Sequence, residues 1–307
     1  MQERRGAARR AGKAIDFFIT SDYFPPVSVT GSGCALQCKH CGQRLLRHIT
    51  PAASPENLLS VAQQLAASGA RGILLTGGCN RSGKVPLSDF SDTIRRIKDS
   101  TDLIIAAHTG FITADEALSL ACSGIDGIAF DVVGDMATVR RVYGFTATED
   151  EYIDSLRAVN DAGIRLFPHV CVGLDFGKLG GELHALEMIR SIEPAAVVVT
   201  GLMPVAGTAM AGCRPGFGDF IGIVCAAREQ FPDTPVVLGC ARSAGREREA
   251  MDIAAIDAGI DGIALPTPRA VRYAAASGFT INYYGSCCGI PPGEKTRIHG
   301  GIPDKQE

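Results

Sequence analysis

Long apolar runs are missing from this chain, and so is any marked excess of one charge. No stretch approaches the roughly 18 consecutive apolar residues of a membrane-spanning helix, so no membrane segment is expected. Lysine and arginine total 30 against 33 aspartates and glutamates, a formal net charge of −3. That balance carries no basic surplus to suggest nucleic acid, and there is no acidic tail. The Met1–Lys13 segment is rich in arginine, but no apolar stretch of signal-peptide length follows it. Eleven cysteines without an export signal argue against a disulfide framework. They point to reduced thiols in the cytoplasm, several of them on metal. No Ser-His-Asp order and no metal-type histidine pair is visible, which disfavours a conventional acid–base enzyme, although His108, His169 and Asp175 could face a common mouth. Linkers and low-complexity runs are lacking too. What remains is a globular chain of 307 residues, 46% apolar and 21% charged. That length suits one α/β barrel of about 250 residues plus extensions.

Short β-branched runs alternate with longer amphipathic stretches, the pattern of repeated βα units on a parallel sheet. A first strand is predicted at 26–30 and a helix at 55–68. Further strands are predicted at 72–76, 103–106, 127–131, 165–172, 196–200, 236–238 and 262–265. Helices are predicted between them, near 87–98, 114–123, 149–161, 181–191, 218–230, 244–258 and 267–276. Three "Gly-Ile" phrases, at 124–125, 163–164 and 259–260, mark helix ends followed by return strands. The expectation is α/β, a single (β/α)8 barrel over 26–280. Residues 1–25 form an N-terminal extension and 281–307 a loop-like tail that could cover one mouth.

Chemistry in such a barrel gathers where strands end, and thiols are placed there. Cys34, Cys38 and Cys41 follow the first strand with spacings of three residues and two. One short loop can then fold round a corner of an iron–sulfur cube and supply three thiolates. Four irons held by three protein ligands leave one iron open to bind and activate something. Glycines 31, 33 and 42 let the backbone curl. A zinc knuckle would need two separated ligand pairs, and no matching pair with zinc-finger spacing follows. Thr76-Gly77-Gly78-Cys79 follows the second strand and Asp131 ends the fourth. His169 and Cys171 share one parity near the end of the fifth, Met203 follows the sixth, and Cys240 and Arg242 follow the seventh. Cys122 and Cys225 sit in apolar helical contexts and read as small buried hydrophobes.

The cysteine loop, Ser28-Val-Thr-Gly-Ser-Gly-Cys-Ala-Leu-Gln-Cys-Lys-His-Cys-Gly42, resembles that of the radical S-adenosylmethionine (SAM) enzymes. His40 takes the place where that family usually has an aromatic ring. The resemblance implies a [4Fe–4S] cluster with an open iron on Cys34, Cys38 and Cys41, and SAM as co-substrate. It implies that Gly77 and Gly78 present backbone to the methionine moiety, with Cys79 where a carboxylate is common. It further implies that Asp131 meets the SAM ribose, and that the motifs around Gly173 and Met203 line the adenine. Across nearly its full length the chain resembles the biotin-synthase-like branch, through Asp161-Ala-Gly-Ile164, Pro204-Val-Ala-Gly-Thr208 and Arg242-Ser-Ala-Gly-Arg246. Around the shared phrases, Leu75, Phe167, Ala241 and either Ala107 or His108 replace the ligands of the [2Fe–2S] cluster of biotin synthase, so biotin synthesis itself is disfavoured.

A different thiol set is present: Cys79, Cys171, Cys240 and the adjacent Cys287-Cys288. These are enough soft ligands for a second [4Fe–4S] cluster. That arrangement looks like the two-protein lipoyl synthases, as does Leu238-Gly-Cys-Ala-Arg242. The likeness implies sulfur insertion at unactivated carbons of a protein-bound octanoyl group. Its partners would be an octanoylated lipoyl-carrier protein, a paralogous radical SAM subunit and an electron donor such as ferredoxin or flavodoxin. Another radical SAM reaction of the same branch, such as hydrogenase-cofactor maturation or a small-molecule rearrangement, is the alternative.

Overall fold

The structure is a computed structural model and describes residues 14–288 together with 290, 293 and 296–298. The arginine-rich start and the rest of the tail, both given to extensions above, lie outside the described residues. Eleven strands make one parallel sheet: β1 (Ala14–Phe18), β2 (Pro26–Ser28), β3 (Thr50–Pro51), β4 (Gly72–Thr76), β5 (Ile104–His108), β6 (Gly127–Asp131), β7 (Leu166–Val172), β8 (Val197–Gly201), β9 (Val236–Leu238), β10 (Gly262–Ala264) and β11 (Thr280–Tyr284). Their spatial order is β11-β1-β10-β9-β8-β7-β6-β5-β4-β2-β3. From β4 to β10 the neighbours follow chain order, as repeated βα units require. The α/β barrel-type fold is therefore as expected, and each strand read from the sequence between 72 and 265 is present within two residues of its expected ends.

Helices α1 (Pro55–Ala67), α2 (Ser91–Ser100), α3 (Ala114–Cys122), α4 (Glu149–Asp161), α5 (Glu182–Ile189), α6 (Phe217–Gln230), α7 (Gly245–Ala258) and α8 (Pro268–Ala276) connect the strands. Their starts are written locally. Ser54 caps α1 ahead of Pro55, and Thr113 with Glu116 and Thr148 with Glu151 form capping boxes on α3 and α4. One sheet face, through Ile73, Leu75, Ile105, Ile128, Val197, Val199 and Leu238, packs with Leu58, Ile94, Ile97, Leu120 and Leu156 of the helices.

The sheet curls without closing into a ring; β11 and β3 are its two ends. Two features of the chain explain this. Ala14–Phe18, inside the segment read as an extension, pairs with both β10 and β11 and so widens the sheet. The tail, read as loop, first makes β11 and then returns antiparallel beside it, with the Ile298 N–H donating to the Tyr283 carbonyl at 2.8 Å. Arg71, just before β4, donates to the Arg297 carbonyl at 2.5 Å, so the tail bridges toward the other end. Among the described tail residues, Cys288 and Ile290 enter the inner face, where they pack with Phe18, Phe24, Phe167, Val198 and Val237. That inner apolar plug is the floor beneath the strand ends.

Candidate active site

The cysteine loop runs from the end of β2 to β3 and is held by backbone contacts to the end of β4. Ala35 N–H donates to the Cys79 carbonyl at 2.8 Å, and Lys39 N–H to the Val142 carbonyl at 2.8 Å. Gly42 and Gln43 both have left-handed backbone, at φ of 51° and 60°. A glutamine there is unusual, and its side chain accounts for the conformation. Gln43 Nε2 donates to the carbonyls of Cys34 at 2.8 Å and Leu36 at 3.0 Å, closing the loop on itself.

Gly78 serves this packing. A Cβ at that position would lie 1.9 Å from the Gly33 carbonyl oxygen and 2.5 Å from the Cys34 Cβ. The Gly78 N–H donates to Thr30 Oγ1 at 2.6 Å, and that hydroxyl donates to the Gly33 carbonyl at 2.9 Å. Gly77 has more room, with Thr30 Oγ1 at 3.0 Å. The expected Gly-Gly turn is therefore present, and Gly78 seats the cysteine loop directly.

Cys34, Cys38, Cys41, His40, Thr76, Gly77, Gly78, Cys79 and Asp131 all line one cleft of about 310 Å³. That is the lower end of the range for small-molecule sites. Its opposite wall is aromatic: Phe111, Phe130, Tyr143, Phe145 and Tyr152. Tyr143 closes a π-helical turn, Val139–Tyr143, and meets the His40 ring edge-on at 5.4 Å. These residues, with Gln43 and Thr30, were not found from the sequence. The aromatic wall comes from separate loops with no common spacing, and a π-turn has no periodic signature.

The thiols differ in character. Cys38 shares its proton with Cys41: that hydrogen bond pushes the Cys38 thiol up and holds Cys41 down at about 6. Burial pushes Cys79 up to about 12, with the charge of Cys34 adding. Burial also lowers the His40 pKa, and its Nδ1 is buried without a hydrogen-bond partner. Ligand atoms of Cys38, His40 and Cys41 lie within 4.8 Å of one another.

The remaining sequence candidates do not all converge. Gly173 packs on Pro215 and Met203 is exposed; neither lines the cleft. The five further thiols divide. Cys79 sits beside the loop trio. Cys171 is hydrogen-bonded to Thr200, and burial pushes it up to about 12. Cys240, Cys287 and Cys288 form a group of their own, in which the main chain of Cys240 hydrogen-bonds Cys288 and the Cys287 and Cys288 sulfurs are 4.0 Å apart. Arg242 is a structural group: its buried guanidinium pairs with Asp252 at 2.7 Å and donates to the Gly239 and Ala264 carbonyls.

The fold and site together define a curled parallel α/β barrel-type scaffold with three loop thiols at its C-terminal mouth, in a cleft with aromatic walls. Residues 28–177 match the radical SAM superfamily. Over those residues, just under half of the chain, the protein is similar to that superfamily, and it has relatives among the biotin synthases. It is 27% identical to a biotin synthase of Acidovorax ebreus, over 72% of this chain and 63% of that protein. It is 28% identical to one of Pelotomaculum thermopropionicum, over 62% and 59%. The aligned region thus spans less than two thirds of these relatives. In fold it is similar to the FeFe-hydrogenase maturase HydG of Carboxydothermus hydrogenoformans, with a TM-score of 0.64, 18% identity, and coverage of 91% of this chain and 70% of that one. Methylornithine synthase (PylB) scores 0.62 at 17% identity, with coverage of 86% and 76%. The superfamily implies a [4Fe–4S] cluster and SAM. The residues present fit both: three cysteines on one closed loop, an orphaned buried imidazole nitrogen, and a glycine seat that any Cβ would fill. Among the described residues no helix is long and apolar enough to cross a membrane.

Proposed function

We propose that the protein is a radical SAM enzyme that inserts sulfur at unactivated C–H carbons of a protein-bound octanoyl group. The observation that carries this reading is a cleft lined by Cys34, Cys38, Cys41 and Cys79 together with a separate group of thiols, Cys240, Cys287 and Cys288. Bound on Cys34, Cys38 and Cys41, the cluster would supply the electron that cleaves SAM to methionine and a 5′-deoxyadenosyl radical. The chain's own residues position and exclude. Gln43, Thr30 and Gly78 hold the loop's shape. Asp131, exposed at the end of β6 into the cleft, offers a carboxylate to ribose hydroxyls. The walls of Phe111, Phe130, Tyr143, Phe145 and Tyr152 keep water from a reactive radical. Cys240, Cys287 and Cys288 would hold a second iron–sulfur centre whose chemistry is sulfur supply. An octanoylated carrier protein as substrate, a paralogous radical SAM subunit for the companion insertion, and ferredoxin or flavodoxin as electron donor belong to the same proposal, as does a cytoplasmic setting that keeps the thiols reduced.

The homologues named biotin synthase support sulfur insertion as the class of reaction. Within this chain, the positions matched to the cluster ligands of a biotin-type site, Leu75, Phe167, Ala241 and either Ala107 or His108, carry no thiol. The test is anaerobic reconstitution with iron, sulfide and an octanoyl-lysyl peptide. About eight irons per chain and peptide-dependent 5′-deoxyadenosine are expected. About four irons, with no peptide-linked SAM cleavage, would refute the reading.

A further inference from the structure

The loops that follow β2, β6, β7 and β8, at 29–49, 132–148, 173–181 and 202–216, meet at the mouth as one surface. Lys39 Nζ lies 5.8 Å from the centre of the Phe176 ring, and Arg141 pairs with Asp135 at 3.6 Å and Asp175 at 2.8 Å. A Cβ on Gly207 would lie 2.6 Å from the Arg44 guanidinium, and one on Gly177 2.6 Å from the Arg214 carbonyl oxygen. Charge is spread unevenly between this rim and the rest of the molecule. The four segments hold seven lysines and arginines against two aspartates. The chain totals 30 against 33, so everything outside them holds 23 against 31, a net −8 beside a rim of +5. Arg141 occupies both rim aspartates, and Arg214 meets Glu247 at 3.4 Å. The other five cations, Lys39, Arg44, Arg47, Arg140 and Lys178, are exposed and form no ion pair among the described residues. Apolar side chains stand out on the same rim. Among the described residues six large ones are exposed, and four of these, Leu45, Leu179, Met203 and Phe217, lie on these loops or on the first residue of α6. Each is 38–44% exposed. Apolar anchors set among exposed charges are the make-up of a protein-binding face.

We infer that this rim is the docking surface for an acidic carrier protein, which presents its acylated lysine arm to the cleft from above. The inference rests on the reading of a protein-bound substrate given above. A cleft of about 310 Å³ takes a small molecule and the end of a chain, not a folded domain. Whatever carries the chain must therefore sit outside, on the loops. Five unpaired cations on three of those loops present a positive field that an acidic surface neutralises. The remainder of the molecule is negative and repels the same partner, so charge selects the face as well as the partner. Rim charges steer association more than they hold it. The holding contact then falls to Leu45, Leu179, Met203 and Phe217, which lose water when covered. A single-stranded nucleic acid would want several rings to stack on. The chain has no tryptophan, and Phe217 is the one exposed phenylalanine or tyrosine on the rim.

The experiment measures binding of the full chain, reconstituted anaerobically, to a purified octanoylated lipoyl-carrier protein of net negative charge, by fluorescence anisotropy. Raising salt from about 50 to about 500 mM should weaken wild-type binding about tenfold or more, because exposed charges are then screened within a few ångströms. Arg47→Glu, Arg140→Glu and Lys178→Glu together should weaken it about tenfold or more at low salt. Arg96→Glu, Arg157→Glu and Arg272→Glu, on the outer helices α2, α4 and α8, change the net charge by the same amount and should leave binding within about twofold. Both triple variants should keep the wild-type yield of 5′-deoxyadenosine with the octanoyl-lysyl peptide. Single rim reversals, each expected to cost about two- to threefold, carry the test should the rim triple misfold. Binding indifferent to salt, or equal loss from rim and helix variants, overturns the docking face, and peptide-dependent SAM cleavage then keeps the sulfur-inserting reading standing. Polyuridylate or anionic vesicles held at the rim more tightly than the carrier also overturn it. Rim-dependent carrier binding without any peptide-linked SAM cleavage supports the docking face and overturns the sulfur-inserting reading instead.

Discussion

The seat beneath the cysteine loop makes a sharp demand on one atom. Replacing Gly78 by alanine puts a Cβ 1.9 Å from the Gly33 oxygen and 2.6 Å from the Cys34 Cα, both backbone atoms that cannot rotate away. Real Cβ contacts do not fall below 3.0 Å, so loop and strand must separate by about 1 Å at the first ligand. Overpacking of this kind costs typically 1–3 kcal/mol when side chains can yield, and here backbone must move, so about 3 kcal/mol is expected. Each kcal/mol lowers the melting temperature of a large domain by about 2–4 °C, which gives a fall of roughly 6–12 °C. The displaced loop should also bind iron several-fold less completely. Gly77→Ala is the control. Its Cβ would meet only Thr30 and Val85 side-chain atoms, at 3.0–3.2 Å, and should cost under about 1 kcal/mol. Thermal unfolding and iron and sulfide content after anaerobic reconstitution read both variants. Wild-type melting and iron loading in Gly78→Ala, or equal damage from Gly77→Ala, would refute this account of the seat.

Two further outcomes follow from the same structure. Asp252→Ala leaves the Arg242 guanidinium, 1% exposed, without its counter-charge; urea unfolding should show a loss of about 3–5 kcal/mol, largely recovered by the apolar pair Arg242→Met with Asp252→Leu. Gln43→Ala removes two hydrogen bonds to the Cys34 and Leu36 carbonyls, about 1 kcal/mol each. Iron should then leave several-fold faster under chelator, while global unfolding changes little because the loop is peripheral to the core.

How much of this was legible in residues alone depends on the range of the interaction. Strands at 72–76, 127–131 and 236–238 match their expected bounds because a buried parallel strand is a local run of β-branched residues. The helices between them were readable from their amphipathic periodicity and from C-terminal glycines such as Gly163. Edge elements were harder. Ala14–Phe18 is a strand because it pairs with both β10 and Thr280–Tyr284, across more than 240 residues of chain, and nothing local says so. How far the sheet curls is decided at the same place, since closure is a property of its two edges, β11 and β3.

The site divides in the same way. Three thiols spaced to share one cluster corner are a statement about a few consecutive residues, and Cys34, Cys38 and Cys41 required no fold to be recognised. The sequence by itself determined the cofactor class and the parallel α/β scaffold, since both rest on spacing and periodicity within short windows. Only the tertiary structure decided that Cys240, Cys287 and Cys288 form one group, and that the His169 ring bridges the Phe167 carbonyl and the Cys288 sulfur. Those facts depend on which strand ends the tail can reach and on which carbonyl holds an imidazole. Both are set by contacts between residues far apart in the chain.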